Sequence, residues 1–354
     1  MFLKFVSMTI FSYLIYFCYN LLKTDFSKLW RFACLVSEKK ETTSEFRVLV
    51  DCFCCAWQHE MSPMDYFQMK MYRRSKQEWS EWAGTTFMYL AQSHLNSPGA
   101  RDIFKNKQKF CEKFSRFVDQ RRIVGSQDMN PMEFEAWITQ NNITKLVRKP
   151  TDSQCGVGVE VYPVATKGGR MFIGDFDIVA FLSLRKGQFL YEAFIDNHEV
   201  IKKINPGCLN TLRLITFVER SGKPRFLAAR MRFGRGACVD NLASGGIAAP
   251  VDMKSGLIIG PAVSSSPSEN MKFTNHPVSG EKIVGTVVPY WDACLELVMS
   301  AAAVVDGARS IGWDVAITPK GPFLIEGNHN WCKILWQLPV EKGLRKEMEE
   351  LLRN

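Results

Sequence analysis

From about Thr144 onward the apolar residues of this chain arrive in short runs, and that rhythm limits what it can fold into. The runs "KLVRKP", "QFLYEAFI", "TLRLITFV" and "RFLAARMRF" are separated by Gly, Pro, Asn and Asp, which is how strands are written. Upstream, "FRVLVDCFCCAWQHEM" and, after Ser62-Pro63, "MDYFQMKMYRRSKQEWSEWAG" repeat their apolar residues at helical spacing. Met and aromatic side chains placed so belong to a helical core. Turn signals in "LNSPGARD", Leu95 to Asp102, mark the boundary between the two regimes. An Ala-rich helical stretch covers about Tyr290 to Arg309. A closing helix, "PVEKGLRKEMEELLRN", puts Leu344, Met348, Leu351 and Leu352 on one face. The class is therefore α+β, and 354 residues suffice for two or three structural units.

The N-terminal segment is apolar from Phe5 to Leu22 between Lys4 and Lys23, at the lower edge of what spans a bilayer. Ser7, Thr9, Ser12, Tyr13, Tyr16, Tyr19 and Asn20 dilute it, and no small-residue cleavage site follows. Two placements stay open: membrane association, spanning or interfacial, and a helix docked on the fold. If the segment inserts, Lys28, Arg31, Lys39 and Lys40 keep the following domain cytoplasmic. A formal charge of +9 favours anionic partners. Nucleic acid is not expected, because the basic residues form no stripe interleaved with aromatics. The cysteines number eleven, an odd count, and no Cys-x2-Cys pair faces a second one. Reduced thiols in a cytoplasmic protein are expected rather than a disulfide framework or structural zinc.

Four constellations carry chemistry. In "KLVRKPTDSQCGVGVEVY", Lys149 ends a strand at Pro150, and a loop with Gly156 and Gly158 leads into the next. Glycines let backbone N–H groups approach phosphate oxygens, and a lysine adds a compact charge. An ordinary hairpin turn is the competing reading, since neither a Walker loop nor a dinucleotide fingerprint is present. In "LYEAFIDNHE", Glu192 ends a strand and Glu199 follows seven residues later. Either carboxylate could accept from a ribose diol, or simply be solvated. Arg213 lies inside an apolar strand, and Arg230, Arg232 and Arg235 precede a glycine-rich loop. They point to a bound anion or carboxylate, or to a rim of surface arginines. Finally, "GWDVAITPKGPFLIEGNHNW" reads as a hairpin carrying Asp314, Glu326 and Asn328. Glu326 and Asn328 share a face and the turn folds Asp314 back towards them. Two carboxylates and an amide oxygen suit magnesium shared with phosphate oxygens.

Together these residues resemble the ATP-grasp superfamily, most closely its sugar-transfer associated branch, over roughly Tyr66 to Glu341. The resemblance implies two α+β lobes holding ATP: an apolar segment at 1–24, a helical region at 25–98, the first lobe at 99–190 and the second lobe, with the metal site, at 191–354. It implies that Lys149 contacts the α-phosphate and that Lys107, in "FKNKQKF", also reaches phosphate. The hinge would be Leu190 to Phe194, including Glu192, with Glu199 at the ribose. Asp314, Glu326 and Asn328 match the magnesium ligands in type, order and spacing. "DNLASGGIAAPVD" would bring Asn241, Gly245 and Gly246 to the transferred phosphate, with Arg213 and Arg230 neutralising charge. Cys155 and Val157 depart from the usual glycine-rich loop, and the helical N-terminal region stands where peptide-ligase relatives carry a substrate-binding domain.

The implied activity is an Mg-ATP-dependent ligation of a carboxylate to an amine or thiol through an acyl phosphate, in cell-envelope or capsular polysaccharide synthesis. A phosphotransferase acting on a sugar hydroxyl and a nucleotide-bound membrane scaffold are the alternatives. The expected partners are a small carboxylate, an amine or sugar-derived substrate, and a membrane surface on the cytoplasmic side. The oligomeric state stays open. On the strand of Lys149, alternation puts Arg148 on the opposite face, away from the nucleotide, where its loss should affect ATP binding only mildly.

Overall fold

The computed structural model describes residues 10–39, 44–151, 158–236, 240–267, 269 and 272–353. Gly156, Cys155 and Val157 of the glycine-rich loop lie outside the described residues, as do Phe5 to Thr9 and Lys40.

The helical region opens with α1 (Ile10–Leu22), α2 (Phe26–Lys39), α3 (Glu45–Gln58), α4 (Pro63–Gln68), α5 (Lys76–Trp79) and α6 (Thr85–Leu95). Its breaks are chemically marked. Ser62 accepts from the backbone N–H of Asp65, the Asp65 side chain accepts from that of Ser62, and Pro63 occupies the first turn of α4, a capping box. Asp65 is buried and also holds Lys333 at 3.0 Å and the Thr85 N–H at 2.8 Å. The apolar faces of α2 to α4, with Leu29, Val48, Cys52 and Phe67, pack against Leu242, Ala248, Val263, Ile334 and Leu335 of the C-terminal half.

Two sheets follow, confirming the α+β class. The first joins β1 (Arg122–Ser126), β2 (Lys145–Pro150), β3 (Glu160–Lys167), β4 (Arg170–Ile173), β5 (Phe176–Asp177) and β6 (Gln188–Ala193) in the order β1-β6-β2-β3-β4-β5. Ahead of it run α7 (Pro98–Lys105) and α8 (Lys107–Lys113), which lend Ala100 and Phe110 to the core of the second sheet. Helices α9 (Pro131–Gln140) and α10 (Ile178–Ser183) cover one face of the first sheet with Phe134, Ile138 and Phe181. The segment after β6 enters α11 (Glu199–Ile204).

The second sheet has seven strands: β7 (Thr211–Val218), β8 (Pro224–Phe233), β9 (Ile247–Val251), β10 (Ala262–Val263), β11 (Lys272–Phe273), β12 (Ser310–Thr318) and β13 (Gly321–Asn328), ordered β11-β10-β9-β8-β7-β12-β13. Leu212, Leu214, Ala229, Met231, Trp313 and Val315 form one face and bury against α12 (Trp291–Ala302). That helix is shorter than its sequence pattern. The chain turns after Ala302, and Gly307 takes a left-handed φ of +74°. Helices α13 (Lys333–Gln337) and α14 (Arg345–Arg353) close the chain. The opposite face of the sheet carries Arg213, Arg230, Arg232 and Asp314, which alternate with the apolar set along β7, β8 and β12.

Alternation on β2 places Arg148 away from Lys149, but the far side is core and not solvent. Arg148 is 1% exposed. Its Nε and Nη2 reach Glu160 Oε2 at 2.9 and 2.7 Å, Nη2 also meets the Tyr162 hydroxyl at 3.0 Å, and its plane lies 4.8 Å from the Phe181 ring. The mild effect expected of Arg148→Met concerns nucleotide binding and does not extend to the fold. Removing a buried guanidinium strands these acceptors, so the variant should lose about 2 kcal/mol, read as a lower denaturant midpoint with unchanged slope.

Candidate active site

Asp314 and Glu326 are direct cross-strand partners on β12 and β13, beside a bulge between Asp314 and Val315. On its other side Asp314 pairs with Arg213 of β7, and Arg213 pairs with Arg230 of β8. Directly opposed residues on neighbouring strands share a face, so one line of charge crosses four strands in the order Glu326, Asp314, Arg213, Arg230. Asn328 lies two residues from Glu326 on the same face and donates to its Oε1 at 3.1 Å.

The two carboxylates differ in electrostatic setting. Arg213 grips Asp314 bidentately, with Nε 2.5 Å from Oδ1 and Nη2 2.9 Å from Oδ2, and Arg232 Nη1 stands 2.9 Å from Oδ2. Burial alone pushes the Asp314 carboxyl up, but the two guanidiniums outweigh it and hold it well below the usual range. Glu326 goes the other way, raised by burial and then by the negative charge of Asp314. One anchored anion thus sits beside a carboxyl whose ionisation is disfavoured by burial and by that anion.

A hard divalent cation fits this donor set. The oxygens of Asp314, Glu326 and Asn328 would hold it, and lone pairs remain on Asp314 after its arginine contacts. Among the described residues no group of three or more His, Cys, Asp and Glu could hold a metal ion, so a site here must use the amide oxygen.

A second cluster lies on the open face of the first sheet. Glu192 opposes Val147 of β2 and Arg122 of β1. Its carboxylate is ion-paired with Lys149, and Arg122 Nη1 lies 3.3 Å away. Burial raises the Glu192 carboxyl, but Lys149 and Arg122 outweigh it and bring it below the usual value. Helix α8 arrives at the same place: Lys107 Nζ donates to the Pro150 carbonyl at 2.7 Å, and Arg122 Nη1 to Cys111 Sγ at 2.9 Å. Lys107, Lys149 and Glu192 are thus brought together. Gly158 has φ +74°, and a Cβ there would stand 2.9 Å from the Pro150 ring, so the strand entering β3 needs glycine. Past Glu192 the Phe194 N–H bonds the Lys145 carbonyl at 2.9 Å, and the His198 N–H bonds the Ile317 carbonyl at 2.6 Å. The segment after β6 is thereby tied to β2 on one side and β12 on the other. Glu199 is exposed in the first turn of α11.

Arg230 is used differently from Arg213. Its Nη1 and Nη2 donate to the carbonyls of Ala229 and Trp336 at 2.8 and 2.6 Å, and burial pulls its pKa down to about 10. Arg232, two residues on, reaches the carboxylates instead, with Nη2 2.8 Å from Asp240 Oδ1. Asp240 in turn accepts from the Thr211 N–H and hydroxyl, both at 2.6 Å. Asn241 caps a short turn by accepting from the Ala243 N–H at 3.2 Å. A Cβ on Gly246 would lie 2.5 Å from the Asp240 carbonyl oxygen, so this loop closes tightly over its own start. Arg122 and Arg232 are the site residues the sequence reading left without a role. Arg232 was visible only as one of a cluster, and Arg122 carried no signal beyond a basic strand start.

Residues 91–352 match the model of the sugar-transfer associated ATP-grasp family. No curated protein matches the chain. Among solved structures, similarity is found to the ATP-grasp ligase PsnB complexed with minimal precursor, at 11% identity and TM-score 0.42, over 73% of this chain and 62% of that one. The D-cycloserine synthetase DcsG matches at 11% identity and TM-score 0.42, over 82% of both chains. D-alanyl-alanine synthetase A from Vibrio cholerae matches at 11% identity and TM-score 0.43, over 73% of this chain and 67% of that one.

Proposed function

The chain belongs to the sugar-transfer associated ATP-grasp family, and on that premise we propose that it is an Mg-ATP-dependent ligase joining a carboxylate to an amine or thiol. Bound Mg-ATP would supply the phosphoryl group that turns the carboxylate into an acyl phosphate, and attack of the amine or thiol on its acyl carbon would then release phosphate. The residues of this chain position and neutralise. Lys149 and Lys107 would meet the phosphates, and Asp314, Glu326 and Asn328 would hold the metal between them. Arg213 keeps Asp314 ionised and in place for that task. The single observation carrying the reading is the charge line itself, an arginine-anchored Asp314 directly opposite Glu326 with Asn328 beside it. The family description also supports a place in polysaccharide assembly, with a sugar-derived substrate. A panel of sugar acids and amino acids, assayed with Mg-ATP for ADP and phosphate, tests it. ADP release should require both a carboxylate and an amine, and release that ignores the carboxylate would contradict the ligase reading.

We further propose that the N-terminal helices rest on an anionic membrane surface at its cytoplasmic side. Among the described residues no helix is long and apolar enough to cross a membrane. On α1 the exposed positions Leu14, Ile15, Tyr19 and Leu22 form one stripe, and Phe46, Val50 and Trp57 form another on α3. Ring contacts between Phe17 and Trp57 at 4.9 Å and between Trp30 and Phe46 at 5.6 Å bind α1 and α2 to α3. Lys23, Lys28 and Arg31 adjoin this surface. Apolar and aromatic faces flanked by cations suit the headgroup boundary. The protein should sediment with vesicles containing phosphatidylglycerol, less with phosphatidylcholine alone, and a Leu22→Asp, Phe46→Asp variant should stay in the supernatant. Equal recovery of parent and variant would overturn the proposal.

A further inference from the structure

A cavity of about 400 Å³ opens in the helical region, within α2 to α5 and outside the stretch that matches the family. Its chemistry is lopsided. Arg47, Arg74 and Lys76 line it against one acid, Asp51, which Lys76 already holds at 3.0 Å. Among the described residues Arg47 and Arg74 form no ion pair, although Glu341 and Glu78 exert a field on Arg74. Arg74 lies 4.1 Å over the Trp82 ring, and its Nε is buried without a hydrogen-bond partner. A buried guanidinium N–H left unsatisfied costs free energy unless something accepts from it. The rest of the lining includes the tyrosines Tyr66 and Tyr72 and the indole of Trp79. We propose that this cavity binds a polyhydroxylated anion, a sugar bearing a carboxylate or a phosphate. The arginines would take the charged group, the aromatic residues would pack against the ring, and the volume admits a small ligand of this kind.

The cavity is wired to the glycine-rich loop of the second lobe. Tyr72 donates to the Pro267 carbonyl at 3.5 Å and Lys70 Nζ to the Glu269 carbonyl at 2.8 Å. The Glu269 carboxylate pairs with Arg235 Nη1 at 2.8 Å, and Arg235 Nε donates to the Gly245 carbonyl at 2.6 Å. A ligand seated beside Tyr72 therefore touches the same framework that shapes residues 241–246. Its role, holding the sugar-derived substrate for ligation, rests on the ligase reading, whereas its binding does not.

Titration calorimetry of the whole protein without nucleotide tests the site, with glucuronate, glucose 1-phosphate and neutral glucose as probes. At least one of the two anions should bind saturably and glucose should not. Glucuronate alone identifies a carboxylate ligand and glucose 1-phosphate alone a phosphate ligand. Arg47→Gln, at an exposed position, should keep the thermal midpoint and weaken binding about tenfold. The Arg47→Gln, Arg74→Gln double variant should abolish it, while ATP affinity, measured in parallel, stays unchanged. Failure of both anions to bind, or equal binding by the double variant, overturns the proposal. Anion binding in a protein that does not bind ATP would leave the cavity standing and remove the ligase.

Discussion

Glu326→Gln is expected to abolish ATP turnover while leaving the fold as stable as the parent, or more so. The substitution keeps the shape and the contact with Asn328 but deletes one of the two negative charges a divalent cation would meet. Most of the phosphate neutralisation at the metal goes with it. Stability should move the other way because of the sign of the shift. The Glu326 carboxyl is raised in the folded state by burial and by Asp314. A carboxyl raised on folding contributes nothing adverse in acid, then costs stability as pH climbs through its unfolded pKa and up to its folded one. Glutamine never incurs that cost. At neutral pH the variant should melt at or above the parent temperature, and its midpoint should vary less between pH 4 and pH 7. An inactive variant that is also strongly destabilised would instead mark Glu326 as a framework residue.

Lys149→Met should weaken ATP binding by one to two orders of magnitude, the range that follows from removing a charge-assisted contact of about 1.5–3 kcal/mol. Methionine preserves the aliphatic stem, so packing on β2 is largely retained. The variant also leaves Glu192 with Arg122 as its remaining ion-pair partner. That carries a second, acid-side signature. Glu192 is depressed in the folded protein, so it stabilises the fold above its unfolded pKa and loses that contribution as pH falls through its folded pKa. With Lys149 gone the depression shrinks, and the acid limb of the stability profile should flatten. Fluorescent-nucleotide titration reads the first effect and unfolding at several pH values the second. Unaltered nucleotide affinity in a folded variant would remove Lys149 from the phosphate site.

How much of this was legible in the residues differs from element to element. The hairpin of β12 and β13 was readable from its apolar runs, its Pro-Lys-Gly turn and its three polar residues, but its exact pairing was not. The turn register alone would set Asp314 opposite Ile325, and the bulge between Asp314 and Val315 shifts the pairing by one residue to bring Glu326 opposite it. Alternation on β2 correctly separated Lys149 from Arg148, yet it could not say what covers each face. Phe181, which lies over the Arg148 guanidinium, comes from a helix formed elsewhere in the sequence. The same limit applies to Arg230 and Arg232. Two residues apart, they share a face, and only the return of Asp240 and of the Trp336 carbonyl from later in the chain distinguishes them. Glu192 looked like a free strand-end carboxylate because Arg122, its partner on β1, enters the sheet seventy residues earlier. Turns are local and were visible, whereas pairing across the sheet was not.

The reaction itself is tested most directly by hydroxylamine trapping. The protein is incubated with Mg-ATP and the carboxylate that best stimulates ADP release, with amine withheld and hydroxylamine present. A hydroxamate of that carboxylate, formed in step with ADP and absent from Glu326→Gln, is the result expected of an acyl-phosphate ligase. A phosphorylated product that survives hydroxylamine, with no hydroxamate, would show transfer to a hydroxyl and contradict ligation.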